Sequence, residues 1–161
     1  MSRENRPQII GAEGGRLIGL SGDMNRFLLT GADTGGSYAQ WEAILPPGGG
    51  PPVHVHSREQ ESLLVLAGDV IARMGDELIV LTEGMSAHLP IGLAHGFKNE
   101  SSVVARVLFT AVPAGLENFF FEVGMEIEPG KEITMVPSEE DRRRMIAKGQ
   151  EYGIRFVGAH G

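Results

Sequence analysis

GGGPPVHVHSREQESLLVLAG, running from Gly48 to Gly68, places His54, His56 and Glu61 close together, and GMSAHLPIGLAHGFKN, from Gly84 to Asn99, adds His95. Side chains alternate across a strand with period two, so His54 and His56 in an extended segment point to one face about 7 Å apart. That suits two ligands of one ion. Glu61 follows across the polar run Ser57-Arg58-Glu59-Gln60, which can turn the chain and bring the carboxylate in from a neighbouring strand. His95 must arrive through the fold, because no local geometry reaches so far along the chain. Imidazole nitrogen with one carboxylate oxygen suits one divalent ion of iron, manganese, nickel, copper or zinc, and is too nitrogen-rich for calcium or magnesium.

Around these segments the chain reads as short β-runs broken by glycine and proline. Strands are predicted over 26–30, 38–45, 53–56, 62–67, 69–74, 77–82, 85–89 and 103–112. In the second run Ala39, Trp41, Ala43 and Leu45 share the apolar face, and Gly75-Asp76 reads as a hairpin turn. Many short strands and few helices make an all-β sandwich or barrel. Two later segments have helical signals instead. Leu116, Phe119, Phe120 and Val123 repeat at helical spacing within 115–123, and Ser138 before Glu139, Glu140 and Asp141 caps a second helix that Gly149 should end. There is no internal repeat, linker or low-complexity tract.

The two histidine segments resemble the paired motifs of the cupin superfamily, G-x5-H-x-H-x3,4-E-x6-G and G-x5-P-x-G-x2-H-x3-N. Gly48, His54, His56, Glu61 and Gly68 fill the first, and Gly84, Pro90, Gly92, His95 and Asn99 fill the second. The resemblance implies a double-stranded β-helix, the cupin jelly-roll barrel, with one or two short C-terminal helices. It implies a tail at 1–8 followed by one domain over 9–161, with His54, His56, Glu61 and His95 as the ligands of the ion. The motif spacing favours Glu61 over Glu59, which is read as a solvated rim carboxylate. The motif glycines and Pro90 are read as turn-forming backbone, and Asn99 as support for the turn after the metal strand. PAGLENFF at 113–120 and YGIRFVG at 152–158 are similar to the tail of single-domain bacterial cupins related to the quercetin dioxygenase-like group.

Three histidines and one glutamate on an octahedral ion leave two positions for a bidentate substrate, or for a substrate oxygen beside O₂. The resemblance implies a dioxygenase-like enzyme for a small enolic or phenolic substrate, with Glu61 as the catalytic base; among the apolar strand residues Trp41, Phe97 and Phe109, which no motif assigns, are candidates to hold the substrate. The alternatives are a cupin isomerase or epimerase acting on a sugar or keto acid, and a non-enzymatic, metal-dependent small-molecule binder. A sugar phosphate would need basic residues at the site, for which only Arg58, Arg73, Lys98 and Arg106 are candidates. His88 shares strand parity with Pro90 and reads either as an interior group or as an exposed polar residue. His160, beside the C-terminus, is expected to be disordered. Phe119-Phe120-Phe121 reads as packing on the barrel or against a dimer partner in preference to a substrate lid.

Composition agrees. At 161 residues the chain suits one domain with a sizeable core, and without cysteine it has neither disulfides nor thiolate ligands. No apolar leader opens the sequence and no run approaches the roughly 18 residues of a membrane span, so the expected location is cytoplasmic. A net charge of −7 opposes non-specific binding to nucleic acid or anionic membrane. Arg142-Arg143-Arg144, with three acidic residues before it, reads as a solvated helix face. Ile9 to Leu20 offers apolar residues with no evident partner in a minimal barrel, and points to a homodimer.

Overall fold

Period-two burial builds two antiparallel sheets, described by a computed structural model over residues 6–131 and 137–158; His160 and residues 1–5 of the expected tail lie outside these. In chain order the elements are β1 (Arg16–Leu20), β2 (Asp23–Leu29), the single helical turn α1 (Gly31–Thr34), β3 (Ala39–Leu45), β4 (His54–His56) and β5 (Gln60–Ala67). There follow β6 (Val70–Met74), β7 (Glu77–Leu81), β8 (Ser86–Leu89), β9 (His95–Lys98) and β10 (Ala105–Val112). The C-terminal part holds α2 (Leu116–Val123), β11 (Met125–Glu126), α3 (Glu139–Glu151) and β12 (Ile154–Phe156). One sheet has the order β11-β1-β2-β3-β10-β5-β8 and the other β12-β4-β9-β6-β7, the face-to-face arrangement of a jelly roll.

The sheets meet over the expected alternating faces. Ala39, Trp41, Ala43 and Leu45 of β3 and Ala105, Val107, Phe109 and Ala111 of β10 are all buried. Register lines Phe27, Trp41, Phe109 and Leu63 across four adjacent strands. Trp41 stacks between Phe27 at 5.6 Å and Phe109 at 5.5 Å, each such pair contributing about 0.5–1.5 kcal/mol beyond its buried area. Met74 and Glu77 flank the Gly75-Asp76 hairpin as predicted.

Four strands were not legible from the sequence: β1, β9, β11 and β12. The second half of the N-terminal apolar segment forms β1, which finds its partners in β2 and β11 and buries Ile18 in the core, while Ile9 and Ile10 stay exposed. The 115–123 helix forms as α2. The Ser138 helix forms as α3 with the expected cap, Ser138 Oγ accepting from the Asp141 N–H, but it continues past Gly149. Gly149 is buried inside the helix, where a Cβ would lie 2.9 Å from the Phe156 ring. It permits close packing, and the reversal falls at Gly153, whose φ of 74° favours glycine.

Candidate metal centre

Pairing of β4 with β9 puts His54 directly opposite His95, while His56 follows two residues along β4 on the same inward face. Glu61 comes from β5 in the other sheet, between Ala111 and Leu89, and reaches across the interior. The donor atoms of His54, His56, Glu61 and His95 all lie within 4.8 Å of one another, and all four residues are buried. The sheets thus bring together the four residues that the motifs single out.

Two of the rings are held by their outer nitrogens. His54 Nδ1 lies 2.7 Å from the Pro52 carbonyl and His95 Nδ1 lies 3.0 Å from the Leu93 carbonyl, so each can donate Nδ1–H outward while its Nε2 faces the interior. His56 Nδ1 is 2.7 Å from Glu59 Oε1. Inside, Glu61 Oε2 stands 2.9 Å from His95 Nε2 and 3.3 Å from His56 Nε2. Despite these approaches, both His56 nitrogens and Glu59 Oε1 are buried without a well-formed hydrogen bond. A metal ion satisfies such an inward nitrogen, so the arrangement fits a divalent cation on the chemistry of its donors.

The charges conform. Burial pushes His54 down to about 3, helped by the neighbouring His56 and His95, so it is neutral and ready to donate a lone pair. Burial would also depress His56, but the carboxylates of Glu59 and Glu61 outweigh it and raise the ring to about 9. Burial opposes ionisation of Glu61, yet His56 and His95 hold its carboxyl well below the usual range. A cation held here would take the place of the His56 proton.

Glu59 is a correction: it is buried and touches a ligand instead of standing at the rim. The polar turn after β4 is short, and Glu59 shares with Glu61, Leu63 and Val65 the inward parity of β5. That parity was the available signal. His88 is exposed on β8, opposite Ser62, so of its two readings the polar surface residue holds. Asn99 supports the turn after β9 as expected, its Nδ2 donating to the carbonyls of Leu45 at 2.9 Å and Val103 at 2.7 Å. Gly50 has a specific role: a Cβ there would lie 2.1 Å from the Phe97 carbonyl, so only glycine lets the loop before β4 lie against β9.

A cavity of about 80 Å³ adjoins the donors, with His54, His56 and Glu61 in its wall. Trp41, Phe97 and Phe109 line it, as do Phe119 and Phe120 of α2 and Phe156 of β12. The α2 aromatics pack on the barrel and also wall the cavity: Phe120 meets Phe27 at 5.2 Å, and Phe119 is buried. β12 pairs with β4, setting Ile154 against His56 and Phe156 against His54, so the C-terminal segment covers the metal strand. Asp23 and Asn25 of β2 complete the lining and were missed because the predicted strand began at Arg26. Arg58, Arg73, Lys98 and Arg106 are all exposed, and Arg106 is engaged by Glu42 on the outer face.

Residues 41–111 match the family model of the cupin domain. The xanthan biosynthesis protein XanB of Xanthomonas campestris pv. campestris is 30% identical over 67 residues, 42% of this chain; the chain spans 14% of that relative's length. Among solved structures, an RmlC-like cupin from Shewanella frigidimarina superimposes with a TM-score of 0.61 at 18% identity, covering 71% of this chain and 98% of the other. A predicted oxalate decarboxylase from Thermotoga maritima gives 0.62 at 16% identity, covering 66% and 99%. At these identities the structural likeness speaks to the fold alone.

Proposed function

We propose that this chain, a member of the cupin superfamily, is a metal-dependent, dioxygenase-like enzyme acting on a small enolic or phenolic substrate. The supporting observation is the cavity: His54, His56 and Glu61 stand in the wall of a chamber of about 80 Å³ that is otherwise largely aromatic and aliphatic, with no lysine or arginine in its lining among the described residues. A divalent ion held by His54, His56, Glu61 and His95 would supply Lewis-acid polarisation of a substrate oxygen and a neighbouring position for O₂.

The chain's own residues do the rest. Glu61, in the cavity wall, would serve as general base for the substrate O–H; His56 and His95 hold its carboxyl low in the ion-free protein, and their engagement by the ion would free it to take the proton. Trp41, Phe97 and Phe109 offer ring surfaces to a planar substrate and keep water from the electron-rich anion that results. An anionic phosphate would find no cationic partner in this lining, which counts against a sugar phosphate substrate. The small volume favours a compact molecule unless α2 or β12 moves. A cytoplasmic location and a homodimeric state belong to the same proposal.

The test is oxygen uptake by protein loaded separately with iron, manganese, nickel, copper or zinc, using small enediols and phenols. Uptake requiring both metal and substrate is expected. Conversion of a sugar or keto acid without O₂ would favour the isomerase reading, and ligand binding without conversion would favour a binder.

A further inference from the structure

We propose that Asn25, with Asp23 beside it on β2, binds the end of the substrate remote from the metal donors and selects a neutral hydrogen-bonding group there, a hydroxyl or an amide. This rests on reading the cavity as the substrate chamber. Asp23 and Asn25 are alternate residues of one strand, both turned inward, and both line the cavity that His54, His56 and Glu61 also line; β2 stands three strands away from β5, which carries Glu61. Asn25 is only 5% exposed, yet its side chain makes no hydrogen bond among the described residues. Its amide is not among the side-chain groups sealed off without a partner, so it remains open to the cavity it lines, where a ligand can take up its donor and acceptor.

The neighbouring polar groups are already committed. Ser21 Oγ contacts Met145 Sδ at 3.1 Å. Both Asp23 oxygens accept from the Gly50 N–H, at 3.0 and 3.1 Å, which ties β2 to the loop before β4. Burial, only partly offset by that bond, pushes the Asp23 carboxyl up to about 7. Wherever Asp23 is ionised, a carboxylate at this end of the substrate meets a like charge, whereas a hydroxyl can donate to Asp23 and accept from Asn25. Polar recognition at one end and oxygen-binding donors at the other fit a bifunctional small molecule with an apolar middle.

The test uses cobalt(II)-loaded protein, in which the cobalt absorption bands report a carboxylate at the metal end, and calorimetric titration with three series of three to six carbons: ω-hydroxyalkanoates, plain alkanoates and α,ω-dicarboxylates. At one chain length the hydroxyalkanoate should bind about tenfold more tightly than the alkanoate, and the dicarboxylate more weakly than the hydroxyalkanoate. Asn25→Leu should abolish the preference while leaving cobalt content unchanged. If that variant fails to fold, the nearly isosteric Asn25→Asp should keep hydroxyalkanoate binding and further weaken the dicarboxylates. Equal affinities at every length, tightest binding of dicarboxylates, or a preference that survives in folded Asn25→Leu would overturn the assignment. Because neither O₂ nor turnover enters, these outcomes stand apart from the dioxygenase reading.

Discussion

Glu59 Oε1 lies 2.7 Å from Nδ1 of His56, while Nε2 of the same ring faces Glu61 Oε2 at 3.3 Å. The imidazole stands between two carboxylates, one behind it and one inside, and the outer one is near enough to set the orientation of a metal-binding histidine.

Glu59→Gln should accordingly weaken metal binding by about 10–100-fold while leaving the barrel folded. Competition against a chromophoric chelator, with circular dichroism as the control for folding, measures it. Wild-type affinity in the variant would reduce Glu59 to a buried bystander.

Glu61→Gln separates chemistry from binding. The amide keeps the shape and a weak oxygen ligand but loses charge and proton acceptor, so metal should be partly retained while turnover falls about 10²–10⁴-fold. Metal content and initial rate are read on one preparation. Full metal with a wild-type rate would remove Glu61 from the mechanism.

Asp23 makes a prediction about pH. Its folded pKa, about 7, lies above the ordinary 3.8, so the folded state holds its proton more tightly than the unfolded chain. The stabilisation is complete below the unfolded value and is lost as pH rises through the folded one, at about 1.4 kcal/mol per unit of pKa difference. Urea unfolding of metal-free protein at pH 5 and pH 8 should show wild type losing more stability over that interval than Asp23→Asn, whose amide oxygen can still accept from Gly50. Parallel losses in the two proteins would contradict the shift.

The exposed apolar edge bears on association. β7 borders its sheet with Leu78 68% and Val80 55% exposed, an edge that a second copy would cover. Light scattering should give a dimer that Leu78→Glu converts to monomer. A monomeric wild type at all micromolar concentrations would contradict it.

How far the sequence reached can be stated in residues. His54, His56, Glu61 and His95 were legible because motif spacing encodes where strands turn and which face they present, and alternation exposed the inward face of β3. Glu59 was misjudged because the motif spacing gives the carboxylate ligand to Glu61 and left Glu59 to solvent or the rim, although its parity with Glu61 pointed inward. β9 was hidden because His95-Gly96-Phe97-Lys98 lacks β-branched residues and gains its strand character from pairing with β4 and β6. β12 is only three residues long and exists through its pairing with β4. The contribution of Asp23 and Asn25 depends on a tertiary cavity that no local pattern announces.

The central claim is that His54, His56, Glu61 and His95 together bind one divalent ion. The most direct test is X-ray absorption spectroscopy and metal analysis of protein reconstituted with iron(II), beside His95→Ala and His56→Ala. The account predicts one ion per chain in the wild type, with nitrogen and oxygen neighbours at about 2.0–2.3 Å and three imidazoles in the shell, and sharply lower occupancy in both variants. A wild type that takes up no ion, or an ion whose shell and occupancy are unchanged by either substitution, would contradict it.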